Sequence, residues 1–137
     1  MAAIDARDAI VTEFINVCTT NSLPYKIDAV GVDVTDKLSV LSFYPASNEA
    51  MGKTSESSSD FRGFFQIDVF TETGHDYGDR RQFQIMDFFF DGFENGLVLT
   101  SNGQTVQIED ASFNNLGVHG NFKRFALRFN FTSYLIR

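Results

Sequence analysis

A chain of 137 residues has the length of one domain, enough to bury roughly two thirds of the surface its unfolded form exposes without a disulfide staple. Eleven Lys and Arg against eighteen Asp and Glu give a net charge of -7, which argues against a surface that grips a polyanion but not against DNA passing nearby. No secretion leader opens the chain and no apolar run approaches the ~18 to 20 residues of a membrane span, so a soluble, unsecreted protein with no membrane contact is expected.

Ile4 to Cys18 reads as the first helix. Ile10, Val11, Phe14, Val17 and Cys18 form one stripe, and Asp8, Thr12, Glu13 and Asn16 lie off it. Asp5 is placed to cap its start, and Asp8 adds a favourable charge near the same end. Cys18, the sole cysteine, reads as a small buried hydrophobe in a reducing compartment; a catalytic thiol is the weaker reading. From Tyr25 to Asp36 a strand and an extended connection fit equally well. Leu38 to Tyr44 is a strand stopped by Pro45, which cannot donate to a ladder.

Ala46 to Asp60 is rich in Ser, Asn and Gly with almost nothing to bury, and reads as a long hairpin loop. Structureless loops of that length are usually functional or become ordered on binding. With Lys53 and Glu56 its only charges before Asp60, a protein partner suits it better than a nucleic acid.

Phe64 to Phe70 is a dense strand, with Phe65, Ile67 and Val69 alternating against Gln66 and Asp68. Thr71 to Gly78 breaks that pattern. The period then becomes helical, with Phe83, Met86, Phe90 and Phe93 on a stripe, Phe89 beside it, and Gln82, Gln84, Asp87 and Asp91 elsewhere. Asn102-Gly103 between Leu97–Ser101 and Gln104–Ile108 predicts a tight hairpin, because both residues tolerate positive φ. Ser112 to Asn121 reads as a second polar connection. Phe122 to Ile136 is the longest alternation, with Phe125, Leu127, Phe129 and Phe131 on one side and Arg124, Ala126, Arg128, Asn130 and Thr132 on the other, as in a strand near the middle of a sheet.

These elements predict one α+β domain over residues 1–137, a mainly antiparallel or mixed β-sheet with two α-helices packed on one face. The other face, carrying Arg124, Arg128, Gln66 and Asp68, is polar enough to meet water or a neighbouring subunit. Sixteen Phe with no Trp and four Tyr exceed what so small a core needs, so some of the Phe is expected at interfaces.

Catalytic chemistry is sparse. His75 with Asp76 and Asp79 is the one oxygen-rich cluster beside an imidazole, and could serve a small metal-dependent hydrolase. Its spacing matches no metal motif, and a solvated turn is the favoured reading. Gly74 and Gly78 lack the Gly-Lys-Ser/Thr ending of a phosphate loop; instead they shape a turn, with Asp79 capping the helix and Gln82 completing a capping-box variant. No catalytic residue, cofactor or metal is expected.

The order of elements resembles that of the tail terminator, or tail completion, proteins of long-tailed bacteriophages. The resemblance runs through the N-terminal helix, the strand ending at Pro45, the polar loop, Phe65-Gln66-Ile67-Asp68-Val69-Phe70, the turn with Gly74 and Gly78, the helix finishing in Phe90 and Gly92, and the strands holding Val106-Gln107-Ile108 and Phe129-Asn130-Phe131-Thr132. It implies a non-enzymatic virion protein at the head-tail junction, made in the host cytoplasm. Such a protein forms a homo-oligomeric, hexameric ring on the tail tube protein, stops tube growth and offers a docking surface to the head-completion or connector protein. Double-stranded DNA passes through its lumen without specific binding. Another connector or minor tail protein of related fold is the nearest alternative. Residues expected at a partner or subunit interface are Asn48, Met51, Lys53 and Glu56 in the loop, and Arg62, Arg124 and Arg128 beyond it.

Overall fold

The computed structural model describes residues 2–27, 34–45, 61–73 and 80–135. In chain order its elements are α1 (Ala2–Thr20), β1 (Tyr25–Ile27), β2 (Ser39–Pro45), β3 (Phe61–Glu72), α2 (Arg80–Gly92), β4 (Val98–Ser101), β5 (Gln104–His119) and β6 (Phe122–Leu135). The strands make one six-stranded sheet in the order β1-β2-β3-β6-β5-β4. Only β1 and β2 pair in parallel, so the sheet is mixed and the fold α+β, as the sequence predicts. The long alternation at the C-terminal end is indeed central: β6 lies between β3 and β5.

Strict alternation divides the sheet into two faces. Phe65, Ile67 and Val69 of β3 and Phe125, Leu127, Phe129 and Phe131 of β6 are buried, and they form one cluster with Ile10, Phe14 and Cys18 of α1 and Ile85, Met86 and Phe89 of α2. Phe65 is the hub. Its ring centroid lies 4.9 Å from that of Phe93, 5.1 Å from Phe129 and 6.2 Å from both Phe43 and Phe131. Phe14 stacks on Phe89 at 5.7 Å, which joins the two helices through aromatic contact. Much of the surplus phenylalanine is therefore core.

Where the helices meet, a glycine is required by space rather than by torsion. A Cβ on Gly92 would sit 2.4 Å from Cγ2 of Val17. The start of α2 is tied down by Asp36, which accepts from the Arg81 guanidinium and, at 2.9 Å, from the Glu72 backbone N–H. The predicted Asn102-Gly103 turn is present, with φ of 50° and 83° at its two residues.

Several expectations are corrected. α1 begins at Ala2, so Asp5 lies inside the first turn rather than at the cap; there it favours the helix dipole and accepts from the Asn102 side chain at 3.0 Å, which lowers its pKa. Ser112 to Asn121 is not a loop. β5 continues to His119 and turns only at Gly120 and Asn121, because two bulges, between Ile108 and Ala111 and between Asn115 and Val118, absorb its irregular pattern while it stays paired with β6. β3 likewise runs on to Glu72 rather than breaking at Thr71. The buried stripe of α2 is turned by one residue from the predicted one. Gln82, Ile85, Met86, Phe89 and Phe93 are covered, whereas Phe83 is 45% exposed and leans on Phe125 at 6.0 Å. The segment from Tyr25 to Asp36 opens as a short strand, β1; its residues 28–33 lie outside the described set.

Candidate assembly surface

The face of the sheet turned away from the helices is built by the even-numbered residues of β3 and β6. Register places Arg62 opposite Thr132, Phe64 opposite Asn130, Gln66 opposite Arg128, Asp68 opposite Ala126 and Phe70 opposite Arg124. On the other flank of β3, Tyr44 lies opposite Phe64 and Ser42 opposite Gln66. Neighbours on one face of paired strands touch, so this register creates two side-chain stacks.

In the first stack, the Tyr44 and Phe64 rings lie 4.8 Å apart and nearly parallel, and the Arg128 guanidinium carbon sits 3.7 Å from the Phe64 centroid. Contact with the ring face orients the planar guanidinium without neutralising it. In the second, Arg124 lies 5.6 Å over Phe70 and donates to Asp68 at 3.1 Å, and Asp68 also accepts from the Gln66 amide at 2.9 Å. The two arginines thus differ: Arg124 shares its charge with a carboxylate, whereas Arg128 is exposed and its contact is aromatic. Beside Arg124 and Phe70 a depression of about 240 Å³ is lined by Val34, Leu38 and Val40.

Along the β5 margin the face becomes acidic. Glu109 and Asp110 fall at the first bulge, where Thr132 donates to Glu109 at 2.8 Å and Asn130 to Asp110 at 3.1 Å. Farther along β5, Phe113 and Val118 are more than half exposed, and Phe113 meets Phe125 edge-on at 6.5 Å. Exposed large apolar side chains gathered on one strand are the kind of feature that marks contact surfaces.

Of the residues the sequence singles out, Arg62, Arg124 and Arg128 come together on this one face. Asn48, Met51, Lys53 and Glu56 of the 46–60 loop, and His75, Asp76 and Asp79 of the acidic turn, lie outside the described residues. Among the described residues no group of His, Cys, Asp and Glu is placed to hold a metal. Cys18 is fully covered and burial pushes its thiol up to about 12, which makes it an inert core residue rather than a nucleophile. Sequence reasoning missed the aromatic half of the surface. Its signal was present in Phe64 and Phe70, which share even parity with Gln66 and Asp68 and so had to face outward with them.

This architecture defines an α+β protein presenting an aromatic and guanidinium sheet face, mixed in charge and open to contact. A family model described as phage tail terminator protein matches residues 7–120, and the chain belongs to that family. It is a structural protein of the phage tail. One solved structure superposes with a TM-score of 0.72 at 17% identity, covering 96% of this chain and 97% of that one. That likeness establishes the fold. No curated protein matches the chain.

Proposed function

We propose that this protein ends the growing phage tail: copies assemble into a closed ring, six by the resemblance drawn above, that caps the tail tube, halts its polymerisation and receives the head connector. Membership of the tail terminator family over residues 7–120 is the observation that carries this reading. Physical features support it. A closed ring of identical copies needs two unlike, mutually complementary surfaces on each subunit, and the aromatic–guanidinium face and the helical face are unlike. A chain of net charge -7 also suits a lumen that DNA traverses without adhering. The protein acts by contact rather than by catalysis.

The test is assembly itself. Native mass spectrometry and electron microscopy of the purified chain should find a ring, and co-sedimentation should place that ring on isolated tail tubes. A chain that stays monomeric at every concentration and leaves tubes unbound would overturn the proposal.

A further inference from the structure

The sheet face, acidic along its β5 margin, presents exposed arginines, and the helical face presents carboxylates. On the sheet side, Arg62 and Arg128 are exposed, and among the described residues no ion pair engages either of them. On the helix side, no Lys or Arg occurs from Ala9 to Leu23 or from Gln82 to Gly96, while Glu13, Asp87, Asp91 and Glu94 all fall there. Glu13 and Asp91 line opposite walls of a groove between α1 and α2, with Gly92 and Val17 below them and Phe88 alongside. Neither carboxylate is ion-paired among the described residues, and Asp91 is exposed.

We infer that the Arg128 face of one copy docks against the Glu13–Asp91 groove of the next, so that a second copy of this chain is the occupant of both surfaces. The inference rests on the ring proposed above and names its joint. Charge complementarity selects the partner: an exposed guanidinium held against Phe64 meets a groove that holds two carboxylates and no cation. Composition agrees, because Arg128 and Tyr44 are of the types that dominate binding energy at interface centres, and Phe64 is of a type enriched there. Geometry agrees too. The two surfaces lie on opposite sides of the sheet, so the contact is head-to-tail and each copy keeps one of each free for its neighbours, as closure into a ring requires. Glu109 and Asp110 keep their charge at the β5 margin, where each accepts from a neutral hydroxyl or amide of β6 rather than pairing with Arg128.

Paired charge reversal on the full chain tests this. Arg128→Glu, and separately the double variant Glu13→Lys with Asp91→Lys, should each raise the dissociation constant for self-association at least tenfold; Arg128→Lys should disturb it less. Mixing the two reversed proteins should restore assembly, because every contact then has a complementary partner; this result also certifies that both variants are folded. Rising salt should weaken the wild-type contact. Wild-type assembly that both reversals leave intact overturns the inference while the ring stands, whereas a monomeric wild type removes ring and joint together. The competing occupant is DNA. Loss of DNA binding in Arg128→Glu, read by fluorescence anisotropy with unchanged assembly, would assign the face to DNA and overturn the proposal.

Discussion

Gly92→Ala should destabilise the protein although it replaces glycine near a helix end with the best helix former. The new Cβ would lie 2.4 Å from Val17 Cγ2, against an optimum of about 3.5–4.0 Å between carbon atoms. Val17 is 7% exposed, and its β-branch leaves essentially one comfortable rotamer in a helix. Relief therefore requires either an unfavourable χ1 or a separation of α1 from α2, which would loosen the Phe14–Phe89 stack. Overpacking of that kind costs about 1–3 kcal/mol. Replacing glycine in a helix returns up to about 1 kcal/mol, and less at the last helical residue. The expected net loss is about 1–2 kcal/mol, read by urea titration or as a fall of several degrees in Tm. The cause is checked in a Val17→Ala background. Without Cγ2 the added methyl has room, so Gly92→Ala should there be neutral or stabilising, giving a coupling of about 1–3 kcal/mol between the two sites. Equal costs in both backgrounds, or a rise in Tm from Gly92→Ala alone, would refute the steric account.

Three further substitutions or titrations probe the interior. Ser133→Ala removes a hydroxyl that accepts from the Gln104 amide at 2.7 Å and donates to the Thr105 carbonyl at 2.9 Å; with all three residues buried, a loss of about 1–3 kcal/mol is expected by chemical denaturation. Gln82→Leu should raise Tm, because Gln82 is 3% exposed and its amide nitrogen has no hydrogen-bond partner among the described residues; relief of that buried donor is worth about 1 kcal/mol or more. A thiol reagent at neutral pH should leave native Cys18 untouched and label it on unfolding. The neutral thiol is favoured in the fold, so its contribution to stability is intact below the unfolded pKa of 9.0 and declines as pH rises from there toward about 12.

How much of this was legible in the sequence depended on whether one pattern was compatible with one packing. The hairpin at Asn102-Gly103 and the central β6 strand were legible, because positive φ and a fourteen-residue strand alternation each admit a single arrangement. The phase of α2 was not. In Gln82 to Phe93, phenylalanine occurs on several sides of the helix, so two stripes offset by one residue look equally apolar. Which of them is buried is decided by where α1 and β3 lie, and that choice covers Gln82 and exposes Phe83. The far half of β5 failed for another reason: two bulges shift the parity of Ser112 to Val118, so a paired strand loses its alternation and looks like a polar loop.

The same bulges account for the exposed apolar side chains of β5. Up to Ile108 the inward residues of β5, Val106 and Ile108, are fully buried. The first bulge brings Ala111 and Phe113 opposite Phe129 and Leu127, which are themselves buried on the inner side, so Phe113 stays on the core-facing side. It is nevertheless 53% exposed there, since the strand has outrun the cover given to Val106 and Ile108. β4 also ends its pairing at Gln107, so no strand of the described sheet flanks this half of β5 on its outer edge. An edge of this kind, left open in a free subunit, invites pairing or burial by another chain. Bulges, the acidic pair Glu109 and Asp110, and Gly117 at φ 81° interrupt its regularity and limit indiscriminate strand addition. In the ring proposed above, the Arg128 face and the Glu13–Asp91 groove would select which neighbour docks, while the uncovered β5 arm would offer that neighbour apolar area to bury.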